Sequence, residues 1–178
     1  MSGGYTAEQR LADAVNKYFD DPLGYVMFNW PWDTEESIQK VRLVEPYKSR
    51  YGCEWGPDKW ACEFLDELGQ EIKKRRFTGK ESVSPIRFST ASGHGIGKST
   101  LVSWLIMFIL DTRPMSKGVV TANTGDQLRT KTWAELSKWH NMALTSDWWV
   151  LSMGRGSMSI ARNSEKYKAT RIVTGKQC

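Results

Sequence analysis

Eight residues near the middle of the chain, Ser92-Gly93-His94-Gly95-Ile96-Gly97-Lys98-Ser99, have the types and spacing needed to hold a phosphate chain. Phosphate oxygens are bound by backbone N–H groups that converge on them with no side chain in the way. Gly93, Gly95 and Gly97 supply the permissive dihedrals that such a nest requires. Lys98 then reaches the β- and γ-phosphates of a nucleotide such as ATP as a point charge, and Ser99 offers a hydroxyl to Mg²⁺. A helix opening there turns its positive end, with the first-turn N–H groups through Thr100, towards the anion. The P-loop pattern is G-x-x-x-x-G-K-[ST], and Ser92, a small residue, stands at its first position. His94 and Ile96 fill variable loop positions and would line the cradle through their backbone. A general-acid role for His94 is the weaker reading, because backbone holds phosphates in such a loop.

Hydrolysis needs more than a cradle: an acidic residue for Mg²⁺ at the end of a buried strand, and a neighbour that orients water. The acids after the loop are Asp111, Asp126, Glu135, Asp147 and Glu165. Met107-Phe108-Ile109-Leu110-Asp111 has the form of an apolar run ending in an acid, but it belongs to the helix that leaves the loop. Asp147 precedes its apolar run, and Arg171-Ile172-Val173-Thr174-Gly175 ends without an acid. No convincing Walker B strand is legible, so binding without efficient hydrolysis is expected.

The elements that would position the loop are readable around it. Ile86 to Thr90 reads as a short strand, Ser99 to Leu110 as a strongly apolar helix stopped by Asp111-Thr112-Arg113-Pro114. Gly118 to Ala122 reads as a second strand, followed by a helix from about Asp126 to Met142. Trp148-Trp149-Val150 and Arg171-Ile172-Val173 are weaker strand candidates. Alternating strand and helix from residue 86 implies an α/β class with a mostly parallel sheet. Ahead of it, Thr6-Ala7-Glu8-Gln9 has the form of a capping box, with Leu11, Val15, Tyr18 and Phe19 on one helical face and Asp21-Pro22 as the stop. Residues 23–56 read as irregular and aromatic. Pro57 opens a second helix whose face carries Trp60, Phe64, Leu65, Leu68 and Ile72. Lys73-Lys74-Arg75-Arg76 suits its negative end, as a solvated terminus before a DNA contact. Residues 78–85 look like a linker, dividing an extension (1–80) from a core (81–178).

Composition is that of a soluble globular chain, with 40% hydrophobic and 25% charged residues among 178. Residues 1–80 hold 12 Lys+Arg against 14 Asp+Glu (−2) and residues 81–178 hold 13 against 6 (+7). The basic second half suits a polyanionic partner. Nine Trp are expected mainly in the core. Cys53, Cys62 and Cys178 form no ligand pair at close spacing, and with no export signal they read as reduced cytosolic thiols. No stretch reaches the roughly 20 apolar residues of a membrane helix.

Taken together, Ala91-Ser92-Gly93-His94-Gly95-Ile96-Gly97-Lys98-Ser99 and Val120-Thr121-Ala122-Asn123-Thr124 resemble the large terminase subunit of tailed bacteriophages. Gly56-Pro57-Asp58-Lys59-Trp60 with Phe64-Leu65, and Gln127 with Lys131-Thr132-Trp133, extend the likeness over most of residues 50 to 140. The resemblance implies a P-loop ATPase of the additional-strand class that uses ATP and Mg²⁺ to move double-stranded viral DNA into a procapsid. It implies a homo-oligomeric ring, portal and small-subunit partners, and the host bacterial cytoplasm. It also implies that the helix around Trp60 helps hold the adenine, although Ala61 stands where many relatives have Gln. Many relatives carry an arginine inside the P-loop; here the substitutes are Arg87, Arg113 and Arg129. Walker B, the coupling motif and a nuclease domain should follow in that family, so the chain is expected to be a fragment or the product of an interrupted reading frame.

Two other readings compete. Another P-loop enzyme, a helicase or small kinase, would need motifs or an arginine-rich lid that are not legible. A non-catalytic nucleotide- or DNA-binding module fits the missing acidic pair. Arg129, Lys131 and Lys138 on the helix after the second strand could meet DNA backbone, or could simply be a solvated face while Trp133 and Leu136 turn to the core.

Overall fold

Helix α1 (Ala7–Asn16) begins as its capping box demands: Gln9 N donates to Thr6 Oγ1 at 3.2 Å and Thr6 N to Gln9 Oε1 at 2.9 Å. The computed structural model describes residues 6–76, 81–91, 93, 95–113, 115–153 and 158–163. Where an irregular stretch is expected, the chain instead forms α2 (Pro22–Asn29). Helix α1 already ends at Asn16, ahead of Tyr18 and Phe19, so Asp21-Pro22 does not stop it but starts the next helix: Pro22 takes the first helical position and Asp21 Oδ1 accepts Gly24 N at 3.0 Å. Leu23, Tyr25 and Val26 of this short helix are fully buried. A two-residue antiparallel pair, β1 (Val41–Arg42) with β2 (Trp55–Gly56), then brackets α3 (Tyr47–Tyr51).

Helix α4 (Lys59–Lys74) opens two residues after Pro57 and buries Ala61, Cys62, Leu65 and Ile72, with Trp60, Phe64 and Leu68 packed at the edge. Gly69 lets α4 approach the start of α2: a Cβ there would lie 3.1 Å from Pro22 and 3.2 Å from the Asp20 carbonyl. At its end Lys74 and Arg75 both pair with Glu71, and Arg75 Nε donates to Ser84 O at 3.1 Å. Arg75 ties the helix terminus to the linker, and both cations complement its dipole.

Helix α5 (Lys98–Thr112) is the centre of the molecule. It is apolar on nearly every side, as a helix enclosed by neighbours must be, and it packs against α1, α2 and α7. After Thr124, whose Oγ1 accepts Gln127 N, α6 (Gly125–Gln127), a π-helical turn (Leu128–Trp133) and α7 (Ala134–Met142) run as one helical stretch. An antiparallel hairpin follows, β3 (Trp149–Met153) with β4 (Met158–Arg162), pairing Trp149 with Arg162. Only the first of these strands is hinted at by the sequence, and Arg171-Ile172-Val173 lies outside the described residues.

The nine tryptophans divide as packing predicts. Trp30, Trp32, Trp104 and Trp139 are buried together, ring centroids 5.0 to 6.2 Å apart and mostly edge to face. Trp30 Nε1 donates to Trp139 O and Trp32 Nε1 to Val26 O, whereas Trp104 Nε1 has no partner. This core contains residues from Val15 to Trp148, so it crosses the division drawn at residue 80.

Neither Ile86–Thr90 nor Gly118–Ala122 forms the expected strand. Both run without regular pairing, and the two sheets among the described residues are two-stranded and antiparallel. A strand exists only where a neighbour completes its hydrogen-bond ladder, and β propensity alone does not supply one. Val119 is accordingly 90% exposed, and Phe88 38%.

Candidate functional site

The glycine-rich loop joins the extended segment ending at Ala91 to the first turn of α5. Gly95 and Gly97 have φ of +83° and +85°, the left-handed region that a side chain strains to enter. Gly97 is the residue that precedes the helix, and with no side chain it caps nothing. The first intrahelical bond is Leu101 N to Gly97 O at 3.0 Å, so the N–H groups of Lys98, Ser99 and Thr100 have no intrahelical acceptor. Uncapped donors, a helix dipole and a lysine all meet at this point.

Lys98 sits at the first helical position and folds its side chain back over the loop, its Nζ donating to Gly93 O at 2.7 Å. Gly93, Gly95, Ile96 and Gly97 are exposed, and no atom lies within 4 Å of where a Cβ would stand on any of the three glycines. The loop is therefore open to a ligand along its glycine face. Ser92 and His94 lie outside the described residues. These residues fit a nucleotide phosphate chain with Mg²⁺: the left-handed dihedrals, the lysine and a helix N-terminus with no side-chain cap are present beside the Ser99 hydroxyl. ATP and Mg²⁺ in this loop would be held by its backbone N–H groups, Lys98 and the Ser99 hydroxyl.

Thr100 has a different task from its neighbours. It is 8% exposed, and its Oγ1 donates to Glu135 Oε1 at 2.7 Å. Its hydroxyl thus faces α7 and leaves only the backbone N–H for a phosphate. Glu135 Oε1 also accepts Trp139 Nε1 at 2.8 Å. The sequence shows Glu135 only as one acid among several. Its i,i+4 spacing to Trp139 is the one local signal that could have marked it.

Asp111 is settled by its environment. It lies in the last turn of α5, buried, with Oδ2 accepting Tyr25 OH at 2.5 Å and Thr145 Oγ1 at 2.6 Å, and Oδ1 accepting Trp149 Nε1 at 2.6 Å. Burial pushes its carboxyl above the usual range, while the bonds from Thr145, Tyr25 and Trp149 pull it back. Both oxygens are committed to scaffold, so the apolar run ending at Asp111 is no metal-binding strand. Asp126 and Asp147 are exposed, and Glu165 lies outside the described residues.

Of the three arginines, Arg113 is at the far end of α5, about 22 Å from Lys98 at ~1.5 Å per residue. It is held there by Phe19 O at 3.1 Å and by the Phe19 and Phe108 rings, each 4.7 Å away. It cannot reach a phosphate on the loop. Arg87 and Arg129 are exposed. Phe64, one turn along α4 from Trp60, packs on Phe88 of the segment before the loop at 5.0 Å between ring centroids, while Trp60 itself packs on the core. Its indole N–H is buried without a partner. Of the cations considered for DNA, Arg129 and Lys131 are exposed on the π turn, whereas Lys138 lies over the Trp139 ring at 5.8 Å.

Among the described residues no three His, Cys, Asp or Glu side chains gather to hold a metal ion, and no helix is long and apolar enough to cross a membrane. No protein-family model, curated protein or solved structure matches the chain.

Proposed function

We propose that the loop at residues 92–99, with the helix it opens, is the phosphate-binding site of a P-loop nucleotide-binding protein that takes ATP and Mg²⁺. The observation that carries this reading is the pair of left-handed glycines, Gly95 and Gly97, set against the uncapped N-terminus of α5 with Lys98 folded over the loop. Left-handed backbone is costly for other residues and aims successive N–H groups at one point, which suits an anion. The α/β class with a mostly parallel sheet belongs to the same reading, with residues 86–90 and 118–122 as the strands that pairing would complete.

Within that class we read the chain as the ATP-binding part of a DNA-packaging motor, the large terminase subunit of a tailed bacteriophage. The support is the sequence likeness around the loop and Thr121-Ala122-Asn123-Thr124. The partners in this reading are double-stranded DNA, a portal, a small subunit and further copies in a ring, in the host bacterial cytoplasm. Exposed Arg129 and Lys131 are available for DNA backbone, which would make binding salt-dependent and indifferent to sequence.

The chain's residues bind ATP without hydrolysing it efficiently. The commitment of both Asp111 oxygens to Tyr25, Thr145 and Trp149 supports this, because it removes the one acid that ends an apolar run. The same observation favours, as second reading, a nucleotide- or DNA-binding module without catalysis. A titration of fluorescent mant-ATP with Mg²⁺ into the protein and into Lys98→Ala, with phosphate release measured on both, tests the proposal. Saturable binding that the substitution abolishes, without phosphate release, is expected. Equal binding in both proteins would sink the P-loop reading, and Lys98-dependent turnover would sink the non-catalytic one.

A further inference from the structure

The geometry points to Glu135 as a positioning residue that holds the first turn of α5, and with it the phosphate-binding loop, through the hydroxyl of Thr100. This rests on the P-loop reading for its consequence in nucleotide binding, and on the structure alone for the contact. Thr100 is the third residue of α5 and follows directly on Lys98 and Ser99. Fixing its side chain fixes the helical turn whose N–H groups face the loop.

Glu135 is itself held. Trp139 Nε1 donates to the same Oε1 that receives Thr100, and Trp139 is fully buried among Trp30, Trp32 and Trp104. A hydrogen-bonded chain therefore runs from the loop's helix into the buried tryptophan cluster. On the loop side, the places where a Cβ would stand on Gly93, Gly95 and Gly97 are open among the described residues, and residues 86–91 have no strand partner among them.

The π turn over Leu128–Trp133 gives this contact a second, independent support. A π turn inserts about one residue into a helix, and one residue rotates everything after it by roughly 100°. With the wider turn in place, Leu136 and Trp139 face the core and Glu135 meets Thr100. Without it, that face would be turned away from α5. π turns are rare and are found frequently at functional sites.

Both donors end on one oxygen, which makes the role separable from charge. A glutamine keeps that acceptor and loses only the negative charge, which beside a phosphate site is a disadvantage. The test uses the full chain with Glu135→Ala, Glu135→Gln, Thr100→Val and the Glu135→Ala/Thr100→Val double variant. Amide hydrogen exchange over residues 95–101 is read first, because it needs no nucleotide. It is expected to quicken about tenfold in Glu135→Ala and Thr100→Val and to stay at the native rate in Glu135→Gln, as the loss of one charge-assisted bond predicts. The double variant should be no faster than either single one, since all three break the same link.

Binding of mant-ATP with Mg²⁺ is then expected to weaken about tenfold in both single variants, and to be native or tighter in Glu135→Gln. Native exchange rates in Glu135→Ala and Thr100→Val, or additive effects in the double variant, would overturn the proposal. So would a Glu135→Gln protein as impaired as Glu135→Ala, which would assign the carboxylate's charge and not its position. If exchange changes as expected but the native protein binds no mant-ATP, the positioning role stands and the P-loop reading fails. Thr100→Val and Glu135→Gln carry the test should Glu135→Ala fail to fold.

Discussion

Replacing Asp111 separates a scaffold acid from a metal ligand, and its cost follows from the contacts. Asp111→Ala removes the acceptor from three buried or half-buried donors: Tyr25 OH, Thr145 Oγ1 and Trp149 Nε1. A donor left unsatisfied costs about 1–3 kcal/mol. The three costs do not simply add. Asn29 Nδ2 already donates to Tyr25 OH at 2.7 Å and to Thr145 Oγ1 at 3.2 Å, and Asn29 Oδ1 is buried without a partner. One hydroxyl can turn to that oxygen, and the substitution also relieves the cost of burying a charge. The net loss is about 3 kcal/mol, dominated by the indole N–H that can only donate. Asp111→Asn keeps an acceptor for Trp149 and should lose about 1–2 kcal/mol.

Urea unfolding followed by tryptophan fluorescence measures both. At a slope of about 2 kcal/mol/M, Asp111→Ala should lower the midpoint by roughly 1.5 M without changing the slope. Below the midpoint, its Mg²⁺-dependent mant-ATP binding should match the native protein. Asp111→Ala unfolding at the native midpoint while losing its response to Mg²⁺ would refute the reasoning, because it would make Asp111 a metal ligand. The pH dependence carries a further check. With the folded carboxyl raised above its ordinary 3.8, the native state binds more protons than the unfolded chain from that pH up to the folded value. The protonated carboxyl's stabilising share is therefore full below 3.8 and lost as pH climbs through the folded value, a decline that Asp111→Asn should abolish.

Three smaller predictions stand on local geometry. Burial pushes the Cys62 thiol from 9.0 up to about 12, so at pH 8 its thiolate is about a thousandfold scarcer than in the unfolded chain; labelling by iodoacetamide should wait for urea, and prompt reaction in the native protein would contradict its burial. Gly97→Ala meets no atom but forces a side chain into φ of +85°, so about 1–2 kcal/mol of strain should appear in urea unfolding together with weakened mant-ATP binding. Gly93→Ala, free of both constraints, should unfold within about 0.5 kcal/mol of native, and an equal loss in both would deny the loop its left-handed turn. Thr6→Ala removes the acceptor of the capping box and should cost about 1 kcal/mol with some loss of far-UV helical signal; no loss would mean α1 is held by packing alone.

Most of the helices are legible because their signals are local. The apolar face from Trp60 to Ile72 and the apolar run after Ser99 each place a helix within a residue or two of where it lies, and Thr6 with Gln9 places the start of α1, which ends at Asn16 and not at the Asp21-Pro22 stop. Gly95, Gly97 and Lys98 are equally legible, since a left-handed turn before a helix depends on the residues that make it. Asp111 is recognisable from sequence as belonging to a helix, but its partners Tyr25 and Thr145 are 86 and 34 positions away. Helix α2 is missed because an Asp-Pro pair reads as an ending until its cap to Gly24 is seen. Strand β4 is missed because a strand is defined by what pairs with it.

By itself, then, the sequence determined the left-handed glycines before Lys98 and the helix that opens behind them. The tertiary structure alone decided that Thr100 turns away to Glu135, that Asp111 and Arg113 are spent on the scaffold, and that four tryptophans from α5, α7 and the segment just after α2 form one core. The physical reason is range. Caps, dihedrals and helical faces are fixed by residues within one or two turns of each other, whereas Thr100 and Glu135 stand 35 positions apart and meet only once α5 and α7 have packed and the π turn has set their register.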